Sequence, residues 1–421
     1  MYIPRLSDNL LSEYLDTFGA VLVEGPKWCG KSTSSARQAG SELRIADPAN
    51  GYQNKRLAES DAMTALEGAR PRLIDEWQEV PALWDAVRYA CDMAGGAPGQ
   101  FILTGSATPR EAALPLHSGA GRIGRLRMDT LTLQELSISS GSSSLSQLFE
   151  GAAPKGVSNM TLERLARVIC HGGWPSAAGM TDQQAMRIAS SYIDAVASED
   201  LVRMDGVSRS PERVKRLIAS LARNESTLAT KKTIVADTGM AGLSPLAEST
   251  VTEYLDALEK VFFSADIPAW NPALRSPVRI RSAKKRHLAD PSLAAAALGA
   301  TPESLIADVK TLGFLFESLV AHDLIVYARM MDAAVAHYRD NSNLEVDLII
   351  QKSNGDWGAF EVKVGAVQED EAAANLNLLE RKMTERGERA SRVKAVVVGV
   401  GGVARVRPDG VAVVPIDALG A

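Results

Sequence analysis

The amino-acid sequence predicts an α/β protein with more than one domain. Short apolar runs alternate with helical stretches in the first third of the chain, which is typical of a parallel sheet covered by helices on both faces. Helical apolar spacing then dominates the middle, and strand-like runs return in the C-terminal quarter. The length of 421 residues is enough for two or three domains.

Composition and charge exclude some classes of protein. Hydrophobic residues make up 46% of the chain and charged residues 23%, as in an ordinary soluble globular protein. The net charge of −5 is not that of a protein that coats nucleic acid through bulk charge. Any contact with nucleic acid therefore has to come from local basic patches.

Cysteine usage and apolar runs bear on location. Cys29, Cys91 and Cys170 lie far apart and form no CxxC pair, so neither a disulfide framework nor a zinc site is expected. The first eleven residues do not resemble a secretory signal, and no apolar run approaches the roughly 20 residues that span a bilayer. We therefore expect a cytoplasmic location and no membrane partner.

The first domain is expected over residues 1–136. Ala20–Glu24 is an apolar run that predicts a buried strand, and residues 31–39 are predicted to form the helix that follows it. Two further strands are expected at residues 72–75 and 101–103, and both end in polar residues.

A phosphate-binding motif lies between the first strand and its helix. Residues 25–33 match G-x-x-x-x-G-K-[ST]. Glycines let backbone N–H groups curl around phosphates, and the helix points its positive end at the anion. The lysine would reach the outer phosphates, and the serine hydroxyl would ligate Mg²⁺. The motif predicts bound ATP and Mg²⁺, with a chance match in a loop as the alternative. The expected nucleotide ligands are Gly25, Gly30, Lys31, Ser32 and Thr33.

Polar residues end the next two strands. Asp75 is expected to hold Mg²⁺ and Glu76 to orient or activate the attacking water, because ligands bind at the carboxyl ends of parallel strands. Thr104 and Ser106 are candidates for sensing the terminal phosphate. The alternatives are a surface turn that carries two acids and a simple strand end in a Thr-Gly turn.

Arginines after the third strand are candidates for a catalytic role between subunits. Arg122 and Arg125 lie close together, and a guanidinium from a neighbouring subunit would neutralise transition-state charge. Arg110 is a weaker candidate. The alternative is solvated arginines on a loop.

The middle of the chain is predicted to be helical. Residues 137–225 begin with a serine- and glycine-rich loop or linker at 137–146 and continue as helices. Residues 226–300 suggest a helix-turn-helix with helices around residues 233–236 and 246–261, followed by a wing near 275–288.

The densest basic stretch of the chain follows the second of these helices and would track DNA phosphates. A solvated loop beside a helical packing module is the alternative. The basic residues are Arg275, Arg279, Arg281, Lys284, Lys285 and Arg286.

The last domain, residues 301–421, carries a second set of acids. Asp347 lies in one predicted strand, and Glu361 and Lys363 project from the same face of the next. Two carboxylates would hold Mg²⁺ or Mn²⁺, the lysine would position water, and Glu317 on the preceding helix would complete the cluster. A binding domain without activity, or an acidic face neutralised by lysine, is the alternative.

These motifs together resemble a known family. The phosphate-binding loop, the Leu-Ile-Asp-Glu acids, the Thr-Gly-Ser strand end and the Gly-Arg pair at residues 121–122 are similar to those of AAA-type P-loop ATPases. Specifically, the chain resembles prokaryotic ATP-binding proteins with a winged-helix middle and a C-terminal domain like PD-(D/E)XK (restriction-endonuclease-like) nucleases. The Gly-Gly-Trp-Pro turn at residues 172–175 also resembles that family. The resemblance implies that Lys31, Ser32, Asp75 and Glu76 form the ATP site.

These observations suggest three candidate functions. The first is an ATPase that acts on DNA as a ring, expected to be a hexamer because Arg122 is a candidate for trans action. The second is an ATP-dependent switch without nuclease activity that binds a protein partner in a stress, defence or toxin–antitoxin system. The third is a phosphotransferase, which the Asp-Glu pair and the long C-terminal region argue against.

Overall fold

The computed structural model describes residues 2–106, 119–239, 243–272 and 283–421. The chain divides into two compact units, each with its own sheet and apolar core. The first unit comprises Met1–Thr130, Ala195–Ser210 and Asp256–Phe263. The second comprises Leu131–Asp194, Pro211–Leu255 and Ser264–Ala421.

The first unit contains a five-stranded sheet in the order β2-β3-β4-β1-β5, and every pairing in it is parallel. Because β1, β4 and β3 are neighbours, their carboxyl ends lie side by side. The strands are β1 (Ala20–Glu24), β2 (Ser41–Arg44), β3 (Arg72–Asp75), β4 (Phe101–Gly105) and β5 (Ile123–Arg127).

Both faces of this sheet are covered. Ala20 and Leu22 pack into one apolar cluster, whereas Val21 and Val23 pack into another. Alternate residues of a strand point to opposite faces, so the continuous apolar run of β1 is explained by burial on both sides. The predicted parallel sheet with helices on both faces is confirmed.

Helices connect the strands and fill the middle of the chain. Val196–Asp200 is a π-helical turn between two α-helices. The α-helices are Ser7–Thr17, Lys31–Gln38, Ala49–Ser60, Ala62–Ala65, Ala82–Met93, Leu145–Phe149, Leu162–His171, Asp182–Ala195, Leu201–Asp205, Pro211–Arg223, Lys231–Thr238, Glu248–Lys260, Pro291–Ala297, Pro302–Ala307, Val309–Arg329 and Glu369–Glu385.

The second unit contains a mixed six-stranded sheet in the order β11-β12-β10-β9-β8-β7. Its β7–β8, β8–β9 and β11–β12 pairs are antiparallel, and its β9–β10 and β10–β12 pairs are parallel. The helix Glu369–Glu385 contributes Ala372, Leu376 and Leu379 to the core of this sheet. The strands of this unit are β6 (Ser143–Ser144), β7 (Ala333–Arg339), β8 (Glu345–Lys352), β9 (Trp357–Lys363), β10 (Val393–Val398), β11 (Arg405–Val406), β12 (Ala412–Pro415) and β13 (Leu419–Gly420).

The segment predicted as a loop or linker at residues 137–146 is more ordered than expected. Strand β6 within it pairs in parallel with β13. Ser139 is buried, and its hydroxyl donates a 2.5 Å hydrogen bond to the carbonyl of Leu419. Serine and glycine therefore indicate close backbone packing here, because small side chains let two chain segments approach.

The helical middle agrees with the prediction in its elements. Lys231–Thr238 and Glu248–Lys260 are the two expected helices. Antiparallel bridges then join Ser264 to Leu288 and Ile267 to Lys285. Its assignment as a winged helix stays a prediction, and residues 240–242 of the turn predicted at 239–244 and residues 275–282 of the predicted wing lie outside the described residues.

The Gly-Gly-Trp-Pro turn packs tightly inside the second unit. The Gly173 carbonyl accepts a 2.6 Å hydrogen bond from the Leu131 N–H, and a Cβ on Gly173 would lie 2.1 Å from the Leu131 carbonyl oxygen. The indole of Trp174 is fully buried and donates to Ser292 at 3.0 Å. Only glycine fits at residue 173, so this motif is explained by packing.

One helix in the described part of the chain has the length and composition to cross a membrane. This helix is Val309–Arg329, with a mean hydropathy of 1.3 over its most apolar window. This helix contradicts the expectation that no apolar run is long enough to span a bilayer. Because 72% of that window is buried inside the protein, the apolar surface of the helix is explained by its position in the core.

Candidate functional site

The phosphate-binding loop lies between β1 and the helix Lys31–Gln38, as the motif requires. Gly25 has φ = 151°, and a Cβ there would lie 1.9 Å from the carbonyl oxygen of Met128. Gly30 caps the helix in the left-handed region with φ = 102°. These two glycines allow a backbone course that other residues would strain.

Lys31 points back over its own loop. Its buried ammonium donates to the carbonyl oxygens of Gly25 at 2.9 Å and Pro26 at 2.7 Å. A phosphate oxygen offers the same kind of acceptor with a full negative charge. The ammonium is therefore held beside the loop, where it would donate to a phosphate oxygen of a bound nucleotide.

At Asp75 the ends of β3 and β4 meet the first turn of the helix Lys31–Gln38. Its Oδ1 atom accepts 2.6 Å hydrogen bonds from both the Ser32 and the Thr104 hydroxyls. Residue 104 is adjacent to residue 75 in the β3–β4 register, which explains the contact. Thr104 is fully buried, so in this arrangement its hydroxyl orients the carboxylate.

Glu76 follows in a strained backbone conformation, with φ = 59° and ψ = 47°. Its Oε2 atom accepts a 3.3 Å hydrogen bond from Ser106 and another from the amide of Gln78. Strained non-glycine residues cluster at functional sites. The structure thus brings together Ser32, Asp75, Glu76, Thr104 and Ser106, whereas the Lys31 ammonium contacts carbonyl oxygens of its own loop.

The residues fit ATP with Mg²⁺. Ser32 and Asp75 place a hydroxyl and a carboxylate oxygen side by side, and Mg²⁺ prefers such hard oxygen ligands. Thr33 is exposed on the first turn of the helix, where backbone N–H groups face an anion.

Two contacts that hold the loop were not predicted. Arg5, 7% exposed, donates to the carbonyl oxygens of Cys29 and Asp129, both at 2.7 Å. Lys27 forms an ion pair with Asp200 in the π-helical turn. Neither Arg5 nor Asp200 belongs to a periodic pattern or motif, so no sequence signal marks them.

Residues 17–137 match the family model described as an AAA domain. They form an AAA domain. Residues 162–304 and 312–419 match two domains of unknown function, DUF8612 and DUF4143. The AAA domain contains the phosphate-binding loop and every residue of the cluster around Asp75.

Similar proteins include uncharacterised proteins of Mycobacterium tuberculosis and Mycobacterium bovis, each 26% identical over 346 residues, 82% of this chain and 70% of theirs. Among solved structures, a Walker-type ATPase of Pyrococcus abyssi is 15% identical with a TM-score of 0.42, covering 70% of this chain and 96% of that one. The Thermotoga maritima RuvB Holliday junction branch migration motor is 18% identical with a TM-score of 0.27, covering 63% and 90%. These two structural likenesses are too distant to indicate a function.

Arg122 is not part of the cluster around Asp75. It precedes β5 at the amino end of the AAA sheet, where its carbonyl accepts a hydrogen bond from Ala20. Its half-exposed guanidinium donates to Asp92 at 2.8 Å. This bond lowers the pKa of Asp92. Arg125 pairs with Glu24 at 3.2 Å. The trans role of Arg122 stays a prediction, and Arg110 lies outside the described residues.

The acids of the C-terminal domain do come together. Glu361 and Lys363 on β9 form a 2.6 Å ion pair, and the Lys363 ammonium lies 3.7 Å from Asp347. Asp347 Oδ2 also accepts a 2.9 Å hydrogen bond from the Val362 amide. Strands β8 and β9 are neighbours, as the sequence analysis required.

Lys285 joins this cluster, which the sequence analysis did not foresee. Its side chain is 1% exposed and pairs with Glu317, with Asp347 at 3.3 Å and with Glu345 at 3.6 Å. The basic-run hypothesis placed this residue on DNA phosphates, and that is wrong because Lys285 is buried among acids. Arg286 is likewise turned inward, to Asp266 and the Ala229 carbonyl.

The charges in this cluster shift one another's pKa values. Burial and the neighbouring Asp347 raise the pKa of Glu317 to about 8 and that of Glu361 to about 8. Burial opposes the charged form of Asp347, but Lys285 and Lys363 outweigh it and lower the pKa. Burial also opposes the charge on Lys285, but Asp347 and Glu317 keep its pKa above the usual range.

The arrangement does not fit the divalent metal that the resemblance implies. Across the ranges that the structure describes, no three His, Cys, Asp or Glu side chains converge as metal ligands. The oxygens of Glu317 and Asp347 instead converge on the Lys285 ammonium. Sequence reasoning missed the place of Lys285 in this cluster, because its basic neighbours indicated a surface role.

Proposed function

We propose that this chain binds ATP with Mg²⁺ in its AAA domain and hydrolyses the nucleotide. The observation that carries the proposal is the pair of 2.6 Å hydrogen bonds by which Ser32 and Thr104 share one oxygen of Asp75. They bring the loop and two strand ends to one point, where a metal-bound triphosphate would lie.

The chain's own residues divide the chemistry. Backbone N–H groups of the loop and the Lys31 ammonium bind phosphate oxygens. Ser32 and Asp75 would hold Mg²⁺, which supplies positive charge to the phosphates when bound. Glu76 Oε2 would accept a proton from water, while Ser106 orients the carboxylate.

Lys31→Ala tests the binding part. We expect the variant to lose affinity for a fluorescent ATP analogue and to release no phosphate above background. Lys55→Ala is a matched control, because that lysine of the same domain pairs with Glu79 near the surface. Unchanged affinity in Lys31→Ala would contradict the proposal.

We propose that ATP hydrolysis drives action on DNA by a ring oligomer. The ring would be a hexamer in which Arg122 acts in trans. Its support from the chain is Arg122 itself and the basic residues Arg275, Arg279 and Arg281, which lie outside the described residues. ATPase rates measured against protein concentration, with and without duplex or branched DNA, test this part. An ATPase rate that changes with neither protein concentration nor DNA would overturn this part of the proposal.

A second candidate is an ATP-dependent switch that binds a protein partner without cutting DNA. The ion pairs between Lys285 and the acids of the C-terminal domain favour it, because they neutralise the cluster that a nuclease would use. Pull-down of a partner that depends on ATP, together with unchanged DNA, would support the switch. Cytoplasmic location is part of both proposals.

A further inference from the structure

Lys285 is fixed in place by its main chain. Its N–H donates to the Ile267 carbonyl at 2.8 Å, and its carbonyl accepts from the Ile267 N–H at 2.9 Å. These two hydrogen bonds form an antiparallel bridge that fixes the backbone at Lys285. The backbone pairing with Ile267 therefore holds the Lys285 ammonium within the acid cluster.

The acid cluster needs positive charge. Glu317, Asp347 and Glu361 are all largely buried, and burying carboxylates without a partner is costly. The Lys363 ammonium forms a 2.6 Å ion pair with Glu361. That leaves Glu317 and Asp347, and Lys285 lies between them.

This position is the one that a metal ion would require. A metal held by Asp347 and Glu317 would draw their oxygens toward one point. In this protein an ammonium stands at that point, and a second cation beside it would meet strong repulsion in a buried site. Lys363 already occupies the place of the lysine in the Glu-x-Lys pattern, so Lys285 is an additional cation.

We propose that Lys285 is the resident cation of the C-terminal acid cluster and stands in place of a divalent metal. The cluster is thereby a closed ion-pair core. Removing the ammonium opens a site for a divalent cation between Asp347 and Glu317.

Mn²⁺ binding to the full chain tests this. Titration without nucleotide, followed by the electron paramagnetic resonance of free Mn²⁺, is compared across variants in a Ser32→Ala background, which removes a ligand of the nucleotide site. We expect Lys285→Ala to gain one Mn²⁺ site, with at least tenfold higher affinity than the parent. Adding Asp347→Ala should remove that gain.

Two controls separate charge from side-chain loss. Lys285→Arg keeps the cation and should gain no site. Lys310→Ala removes an exposed lysine of the same unit and should also gain none. Equal Mn²⁺ binding in Lys285→Ala and Lys310→Ala would overturn the proposal.

A second measurement does not depend on the folding of Lys285→Ala. Mn²⁺ stoichiometry is compared between the parent chain and Asp347→Ala alone. We expect no difference, since Lys285 already fills the cluster. Loss of a Mn²⁺ site in Asp347→Ala would show that the metal binds beside the ammonium, and the proposal would fail.

Discussion

In the AAA domain, Asp75 meets two hydroxyl groups, whereas in the C-terminal domain Asp347 meets two ammonium groups. Both aspartates lie on strands beside a neighbouring strand that carries a partner. A hydroxyl is a neutral oxygen that can join a carboxylate around a metal ion. An ammonium competes with the metal for the same carboxylate. The first cluster therefore offers neutral and anionic oxygens to a cation, and the second already contains two ammonium groups.

The largest expected effect tests whether the cluster around Asp75 catalyses ATP hydrolysis. Glu76→Gln should lower the rate of ATP hydrolysis by roughly 10²–10⁴-fold, because the proton acceptor is lost while the shape remains. Affinity for ATP should persist, since the phosphate ligands are intact. Phosphate release under single-turnover conditions measures this. Glu79→Gln, an exposed neighbour, is the control, and equal rates in both variants would remove Glu76 from the mechanism.

The next effect tests whether the second cluster is an ion-pair core. Lys285→Met should destabilise the second unit by about 3–5 kcal/mol, because it leaves buried carboxylates unpaired. Glu317→Gln in the same chain should recover about 0.5–3 kcal/mol of that loss, which is the usual coupling of contacting residues. Urea denaturation of the two single variants and the double variant gives the cycle. Strictly additive losses would mean that the two side chains do not interact.

A smaller effect concerns the support beneath the phosphate-binding loop. Arg5→Met removes donors from the Cys29 and Asp129 carbonyls, so the loop should be less ordered before nucleotide binds. We expect ATP affinity to weaken about tenfold, or ~1.4 kcal/mol. Equilibrium binding of a fluorescent analogue measures it. Arg56→Met, an exposed arginine that donates to the Asn50 carbonyl, should bind ATP like the parent chain.

The two clusters also differ in what the sequence could predict. The contacts of Asp75 follow from local order: an apolar strand, a glycine loop and acids at the next strand end converge in any parallel sheet of this kind. Asp347, Glu361 and Lys363 were found in the same way, from alternation along neighbouring strands. Lys285 comes from a bridge 62 residues before Asp347, and no periodicity relates the two. Its basic neighbours are typical of a surface, so charge patterning suggested the opposite of burial.

The smallest expected effect is at Arg122, and it tests whether the nucleotide cluster is complete within one chain. Arg122 forms an exposed ion pair with Asp92, and such surface pairs contribute little to stability. Arg122→Ala should therefore leave the stability of the chain almost unchanged and leave ATP affinity unchanged in dilute protein. Its guanidinium lies at the amino end of the sheet, whereas the phosphate-binding loop lies at the carboxyl end. It therefore cannot contact a nucleotide bound by Lys31 of the same chain. Hydrolysis measured over rising protein concentration separates the remaining roles: a rate that climbs in the parent chain but stays flat in Arg122→Ala requires a neighbouring subunit, whereas identical curves leave Arg122 as a surface residue.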